Sequence, residues 1–171
     1  FYTSGDGAPD DGTGAGFDAI IDAPFFAGGA FSFWNSQGIG LQGVGLVHRA
    51  SLLPSLRSNK FEGQANFVNP GILILNAGYD AEIAPTLKFF LNVNFLRFAE
   101  TAPLETFLHQ NSLHRNIGID CGAGLVYRPF LNNNAIVTAG ASALLPLDGW
   151  TDIYESSSPR FAVFASLILT Y

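Results

Sequence analysis

Three aspartates near the start of the chain are the first candidates for chemistry. Asp6, Asp10 and Asp11 lie in the glycine-rich segment S-G-D-G-A-P-D-D-G. Carboxylates on a flexible backbone suit calcium, a hard cation that takes about six to eight oxygen ligands. The spacing is not that of an EF-hand, and acidic surface loops are often simply solvated. The sequence therefore offers a calcium site here, with a solvated loop as the alternative.

A second cluster is basic and consists of His48, Arg49, Arg57 and Lys60. Within a pore, such a cluster would raise the local concentration of anionic solutes. The same residues also suit a solvated loop, and the sequence does not choose between the two interpretations.

Catalysis and nucleic-acid binding have little support in the sequence. His109 and His114 have no cysteine or paired carboxylate at zinc-ligand spacing. No nucleophile-elbow motif is present, so we expect no enzyme activity. The net charge of −6 argues against a nucleic-acid partner. Cys121 is the single cysteine, which excludes an intrachain disulfide.

The segment Arg160–Tyr171 (R-F-A-V-F-A-S-L-I-L-T-Y) has the alternation of a β-strand with one wholly apolar face. It ends on an aromatic residue, as the closing strand of a transmembrane barrel does. The chain is 48% hydrophobic and 13% charged, yet no run approaches the ~20 apolar residues of a membrane helix. A barrel explains both, because only every second residue meets lipid. The segment resembles the C-terminal strand of bacterial outer-membrane β-barrels, which is their assembly signal.

The same alternation predicts four further strands. With the closing strand, the predicted set is Gly71–Ile83, Leu87–Phe98, Arg115–Arg128, Ala135–Leu145 and Arg160–Tyr171. The connections are alternately short (84–86 and 129–134) and long (99–114 and 146–159). Outer-membrane barrels have short periplasmic turns and long extracellular loops, and this order would place the C-terminus in the periplasm.

The remaining sequence completes a single predicted domain over residues 1–171. Gly38–His48 and Lys60–Phe67 are candidate strands, residues 1–36 are expected to be mainly an extracellular loop, and 37–171 barrel strands and loops. The chain has no methionine and opens on a strand-like F-Y-T, so we expect part of a longer chain. The predicted fold is all-β, an antiparallel transmembrane β-barrel or the C-terminal part of one. A soluble β-sandwich is the alternative, because it also alternates its faces.

Strand parity divides the polar and interfacial residues between two faces. The predicted lumen-lining residues are Asn76, Asp80, Glu82, Lys88, Asn92, Asn94, Asn116, Asp120, Arg128, Thr138 and Ser142. The predicted membrane-interface residues, on the opposite parity, are Tyr79, Phe89, Arg97, Arg115, Tyr127 and Tyr171. Arginine costs ~2–4 kcal/mol at mid-bilayer but ~0–1 near the interface, so Arg97 and Arg115 are expected at the rim. There, their guanidinium groups would either bind lipopolysaccharide phosphates or simply extend to the aqueous interface.

Short motifs add a narrower resemblance to alginate-export, porin-like barrels. They are S-G-D-G at Ser4–Gly7, F-V-N-P-G at Phe67–Gly71, Y-R-P-F-L at Tyr127–Leu131 and the terminal strand. The resemblance implies an outer-membrane channel for small hydrophilic or anionic solutes, with saccharides among them. It also implies contact with the bilayer, lipopolysaccharide, the barrel-assembly machinery and the rest of the barrel. The alternative function is a structural barrel that acts as scaffold or sheath for a partner, such as an electron carrier.

Overall fold

The computed structural model describes residues 1–17, 27–36 and 66–170. The strands are β1 (Tyr2–Thr3), β2 (Ile72–Ala84), β3 (Leu87–Phe98), β4 (Asn116–Tyr127), β5 (Ala135–Pro146) and β6 (Arg160–Leu169). The helices are α1 (Phe33–Ser36), α2 (Ala102–Leu108) and α3 (Asp148–Tyr154), and a 3-10 turn covers Gly29–Phe31. Gly38–His48 lies outside the described residues, as does most of Lys60–Phe67, whose last two residues are not in a strand.

The six strands form one antiparallel sheet in the order β1-β2-β3-β4-β5-β6. The prediction of an antiparallel all-β fold is therefore confirmed for the described residues. Their sheet is open and is not closed into a barrel. All five predicted strands are present, with ends within about two residues of those expected from alternation.

The connections also alternate as predicted, short at one end of the sheet and long at the other. We call these the turn end and the loop end. Each long connection contains a helix, α2 after β3 and α3 after β5, which the sequence analysis treated as loop. Pro103 in the first turn of α2 suits a helix start, because its missing N–H would have no partner there.

The two faces of the sheet differ in what covers them. One face, which we call the exposed face, carries apolar side chains that are largely uncovered. Its exposed apolar residues include Leu75, Tyr79, Leu91, Val93, Leu125, Tyr127, Leu145, Phe161, Val163, Leu167 and Leu169. The other, the packed face, carries Asn92, Asn94, Asp120 and Ser142, all of which are buried. Across the middle of the sheet, polar side chains are therefore buried and apolar ones exposed, the reverse of a soluble sheet.

A bulge at the start of β4 changes which residues belong to each face. The β3–β4 register shifts between Leu96, opposite Gly118, and Arg97, opposite Asn116. Ile117 is the extra residue and is fully buried in the core. Because a bulge reverses the alternation, Asn116 shares the face of Arg97 instead of that of Asp120.

The packed face has its apolar core at the loop end. Strand residues Ile72, Ile74, Leu96, Phe98, Ile117 and Leu144 form its floor. Phe33, Trp34, Leu104, Leu113 and Trp150, from the helices and loops, cover it. Trp34 and Trp150 meet edge to face with ring centroids 6.3 Å apart. The loop-end helices therefore stand over one end of the packed face.

Strands β1 and β2 are neighbours in the sheet although residues 4–71 of the chain lie between them. The two ends of this excursion pack on each other, with Asp6 N–H donating to Asn69 O at 2.9 Å and Gly16 N–H to Phe67 O at 2.7 Å. Residues 27–36 belong to the same excursion and lie on the packed face. Residues 1–36 were predicted to be mainly an extracellular loop, and that prediction did not include packing of residues 27–36 against the sheet.

Candidate functional site on the packed face

Three polar residues form a row across the middle of the packed face. Asn76, Asn94 and Asp120 are direct neighbours on β2, β3 and β4. Asn94 accepts a hydrogen bond from Asn76 Nδ2 at 2.7 Å and donates through Nδ2 to Asp120 Oδ2 at 3.0 Å. Asn92, one step nearer the turn end, accepts from Asn76 Nδ2 at 2.5 Å. The row is a continuous amide–carboxylate network.

Segment 27–36 is bound to this row through Asp120. The Phe33 backbone N–H donates to Asp120 Oδ1 at 2.9 Å, and the Ser32 hydroxyl donates to Asp120 Oδ2. Asn94 Nδ2 also donates to the carbonyl oxygen of Ala27 at 2.9 Å. A buried carboxylate needs such donors because burial of an unpaired charge is very unfavourable. Asp120 is therefore the anchor that holds the segment on the sheet.

Beside this anchor, Phe31 occupies a slot floored by glycine. A Cβ on Gly122 would overlap the carbonyl oxygen of Phe31, and a Cβ on Gly124 would overlap its ring. The ring is stacked on Phe90 at a centroid distance of 5.0 Å and lies 5.4 Å from Phe164. Glycine is thus required in β4 because another part of the chain approaches it closely. We call this the Phe31 slot.

The contact between segment 27–36 and the sheet leaves two buried polar groups of the sheet without a hydrogen-bond partner among the described residues. Gly28 lies against the Asn92 amide so closely that a Cβ there would overlap it, and its φ is +90°. Asn92 Nδ2 and Ser142 Oγ are buried without a hydrogen-bond partner among the described residues. Burial of such groups typically costs about 1–3 kcal/mol each.

A cavity of about 330 Å³ remains between residues 28–31 and strands β2 and β3. Its walls include Asn76, Asp80, Phe90 and Asn92. Lys88 Nζ lies 3.3 Å from Asp80 Oδ2 and 4.7 Å from the centroid of the Phe90 ring. The packed face is therefore polar and partly open toward the turn end.

The structure divides the predicted lumen-lining residues by exposure. Asp80 and Glu82 are exposed and Lys88 and Thr138 are half-buried on the packed face, and Arg128 is exposed just after β4. Asn92, Asn94, Asp120 and Ser142 share that face but are buried rather than solvated. The placement of Asn116 on the lumen parity was wrong because the bulge at Ile117 moves it to the other face.

Most of the predicted interface residues lie on the face of the sheet that strand alternation assigned to them. Tyr79, Phe89 and Tyr127 occupy the parity of the exposed face in the turn-end halves of their strands. Arg97 is exposed near the loop end of that face. Arg115 lies just before β4 and opposite Phe98, so its placement on the parity of Arg97 was wrong for the same reason as that of Asn116. Its guanidinium contacts Glu100 Oε2 at 2.9 Å. Tyr171 lies outside the described residues. Whether these side chains meet a membrane interface stays a prediction.

The three predicted calcium ligands differ in burial, and the predicted basic cluster is not among the described residues. Asp6 is buried and its Oδ1 accepts from the Ala8 N–H at 3.2 Å, whereas Asp10 and Asp11 are exposed. Within residues 1–17, 27–36 and 66–170, no group of three or more His, Cys, Asp or Glu side chains is placed to hold a metal. The basic cluster His48, Arg49, Arg57 and Lys60 lies outside the described residues.

At the loop end, His114 and Asp152 tie α3 to the connection before β4. Asp152 Oδ2 accepts from the His114 backbone N–H at 2.8 Å and lies 2.9 Å from its Nδ1. The hydrogen bond to Asp152 raises the pKa of His114, and the backbone N–H of His114 lowers the pKa of Asp152. Burial raises the pKa of Tyr154 to about 12, and its ring stacks on Trp150 at 4.1 Å.

Comparison of this chain with protein-family models, curated proteins and solved structures gave no match. Among the residues that the structure describes, no helix is both long and apolar enough to cross a membrane. The functional interpretation therefore depends on the geometry of the sheet and of segment 27–36.

Residues of segment 27–36 were absent from the sequence-based candidates. Ser32, which donates to Asp120, and Phe31, which fills the slot, belong to a short A-F-S-F-W stretch without an informative pattern. The informative signal lay elsewhere, in Gly122, Gly124 and Gly140 on one parity of adjacent strands. Glycines within strands often mark a close approach by another part of the chain.

Proposed function

We propose that this chain forms part of a bacterial outer-membrane β-barrel that acts as a porin-like channel for small hydrophilic solutes. The observation that carries the proposal is the contrast between the two faces of the sheet: one is apolar and exposed, and the other buries polar side chains across its middle. In a transmembrane barrel, lipid covers the first kind of face and the lumen adjoins the second. The resemblance of the terminal strand to outer-membrane barrels supports the same assignment.

The exposed face supports lipid contact through its continuity. The row Tyr79, Leu91, Ala123, Ala141 and Val163 crosses five strands without a charged side chain. Val163 is 84% exposed and Phe161 is 75% exposed. Contiguous apolar surface on this scale marks contact with a membrane or another protein. Further strands of the barrel, paired with the free edge of β6, would complete the wall.

The packed face supports a passage on its turn-end side. Asp80, Glu82 and Lys88 lie there beside the cavity bounded by residues 28–31. Their mixed charge favours small hydrophilic solutes and provides no excess of cations for selecting anions. Passage of anionic saccharides is a more specific proposal. It depends on the basic cluster at 48–60, which lies outside the described residues.

Membrane insertion and conductance test the proposal in two steps. The complete barrel that contains this chain should require detergent, show a heat-modifiable shift on gels and produce stable ohmic steps in planar bilayers. Monodisperse behaviour in plain buffer would contradict the membrane assignment and favour the β-sandwich. Solute size is then measured by liposome swelling with uncharged and charged solutes of matched radius.

A structural barrel is the second candidate function, and one observation favours it. The loop-end half of the packed face is an apolar core, and segment 27–36 covers Asn94 and Asp120. A barrel filled in this way could serve as scaffold or sheath for a partner such as an electron carrier. If the fully inserted protein shows no conductance in planar bilayers, this candidate is favoured over the channel.

A further inference from the structure

We infer that residues 27–31, the first half of segment 27–36, are a displaceable closure of the passage, held shut by Phe31 in its slot on β4. This inference rests on the proposed channel function and adds a regulatory element to it. The closure is the part of the chain from Ala27 to Phe31, and its seat is formed by Gly122 and Gly124. Residues 32–36 stay in place, because Asp120 holds Ser32 and Phe33 and because Trp34 belongs to the apolar core.

The seat is specific for this segment. Phe31 is enclosed by two aromatic rings, Phe90 and Phe164, above a floor that has no side chains at Gly122 and Gly124. An aromatic ring in such a slot contributes both apolar burial and ring–ring attraction. Asn94 Nδ2 adds a directional bond to the carbonyl oxygen of Ala27 at 2.9 Å. The closed position of residues 27–31 is therefore defined by a few local contacts.

The polar surface beneath the segment favours its release. Asn92 Nδ2 and Ser142 Oγ have no hydrogen-bond partner among the described residues while the segment is seated. Water would reach both groups once the segment moved, which removes the penalty of their burial. The closed state is thus opposed by the burial of these two groups, and the contacts of Phe31 and of Ala27 with Asn94 must outweigh this penalty.

A gap already exists along one side of the segment. The cavity of about 330 Å³ is bounded by residues 28–31 on one side and by Asn76 and Asp80 on the other. Displacement of residues 28–31 therefore widens an existing space and does not have to create one. The cavity lies on the side of the polar row that faces the turn end, where Glu82 and Lys88 follow on β2 and β3.

Alanine at the two glycines of the seat tests the closure directly. Gly122→Ala and Gly124→Ala each add one methyl group that overlaps Phe31, so the segment cannot keep its position. Gly78→Ala is the matched control, because its nearest contact would be an ordinary 3.7 Å to Leu91 O. Full chain of each variant is reconstituted in planar bilayers, and its assembly is monitored separately by heat-modifiable mobility.

We expect several-fold higher conductance or open probability for Gly122→Ala and Gly124→Ala, with Gly78→Ala equal to the parent chain. Equal, substantial conductance in all four proteins would overturn the closure and leave the channel function standing. Silence of all four proteins after confirmed insertion would overturn both, and would favour the structural barrel.

Phe31→Ala provides a second route if the glycine variants do not assemble. It removes the ring from the slot without adding bulk to the sheet, so β4 and its neighbours keep their register. We expect it also to raise conductance relative to Gly78→Ala. Parent-like conductance of an assembled Phe31→Ala variant would overturn the role of Phe31 in holding the closure.

Discussion

The carboxylate of Asp120 lies 2.9 Å from the backbone nitrogen of Phe33, although β4 and α1 are far apart in the chain. Asp120→Ala removes this contact and those to Ser32 and Asn94, and leaves their donors buried. Hydrogen bonds to charged groups contribute ~1.5–3 kcal/mol each. Removal of the buried carboxylate also removes its desolvation cost, which offsets part of the loss of three bonds, so we expect the free energy of unfolding to fall by about 3 kcal/mol.

Denaturant unfolding in detergent, with heat-modifiable mobility as the second probe, measures this loss. Thr138→Ala is a suitable control, since Thr138 is half-buried on the same face nearer the turn end. Equal unfolding midpoints for the two variants would show that Asp120 does not anchor segment 27–36.

Arginine placed on opposite faces of β6 should have opposite consequences. Val163→Arg puts a charge on the exposed face, in the row that passes through Ala141 at the middle of β5. Arginine at the bilayer midplane costs ~2–4 kcal/mol, so we expect loss of membrane assembly or a comparable fall in stability. Ser166→Arg, on the packed-face parity of the same strand, should assemble normally. Similar assembly of both variants, measured by membrane fractionation, would contradict the lipid assignment.

Cysteine labelling should distinguish the two faces within β2. In a Cys121→Ser background, Asp80→Cys and Glu82→Cys should react with a hydrophilic thiol reagent in the assembled protein. Leu75→Cys and Tyr79→Cys, on the exposed face, should react only with a reagent that partitions into lipid. Hydrophilic labelling of 75 and 79 would place that face in water and refute its contact with the membrane.

The His114–Asp152 pair should make the loop end sensitive to pH. Since the pKa of His114 is raised above its ordinary 6.5, its contribution to stability is complete below pH 6.5 and is lost as pH rises through the folded-state pKa. Since the pKa of Asp152 is lowered from 3.8, its contribution is present above pH 3.8 and is lost as pH falls through the folded-state value.

Both contributions are therefore largest between these two ordinary pKa values. NMR titration of the His114 ring should give a pKa above 6.5, and Asp152→Asn should lower it. An unchanged His114 titration in that variant would mean that the contact is absent in solution.

Asn69 should be essential for the loop in which it lies. Its Nδ2 donates to Asn66 O at 2.8 Å and Phe17 O at 3.1 Å, and its Oδ1 accepts from Gly71 N–H at 2.9 Å. Each such bond contributes about 0.5–1.5 kcal/mol, so Asn69→Ala should expose residues 4–17 to limited proteolysis. Asn133→Ala, in an exposed turn, is the control and should be cut at the parental rate.

Alternation was sufficient to predict the strands because one face of each is apolar over most of its length, as in β3 from Leu87 to Phe95. It could not predict the bulge, since Ile117 and Ile119 have the same parity and the pattern continues unbroken through the register shift. The position of segment 27–36 was equally inaccessible. Its contacts with Asp120 and the Phe31 slot join residues about ninety positions apart, and strand periodicity reports only local geometry.

The excursion of residues 4–71 between β1 and β2 implies an order of folding events. Strands β2 to β6 are joined consecutively as hairpins, so each pairing closes only a short stretch of chain. Pairing of β1 with β2 must close the whole excursion, and the entropy lost on closure grows with loop length. We therefore expect the β2–β6 meander to form first, so that segment 27–36 docks late onto a completed surface, and a nascent chain exposes the polar row before it is covered.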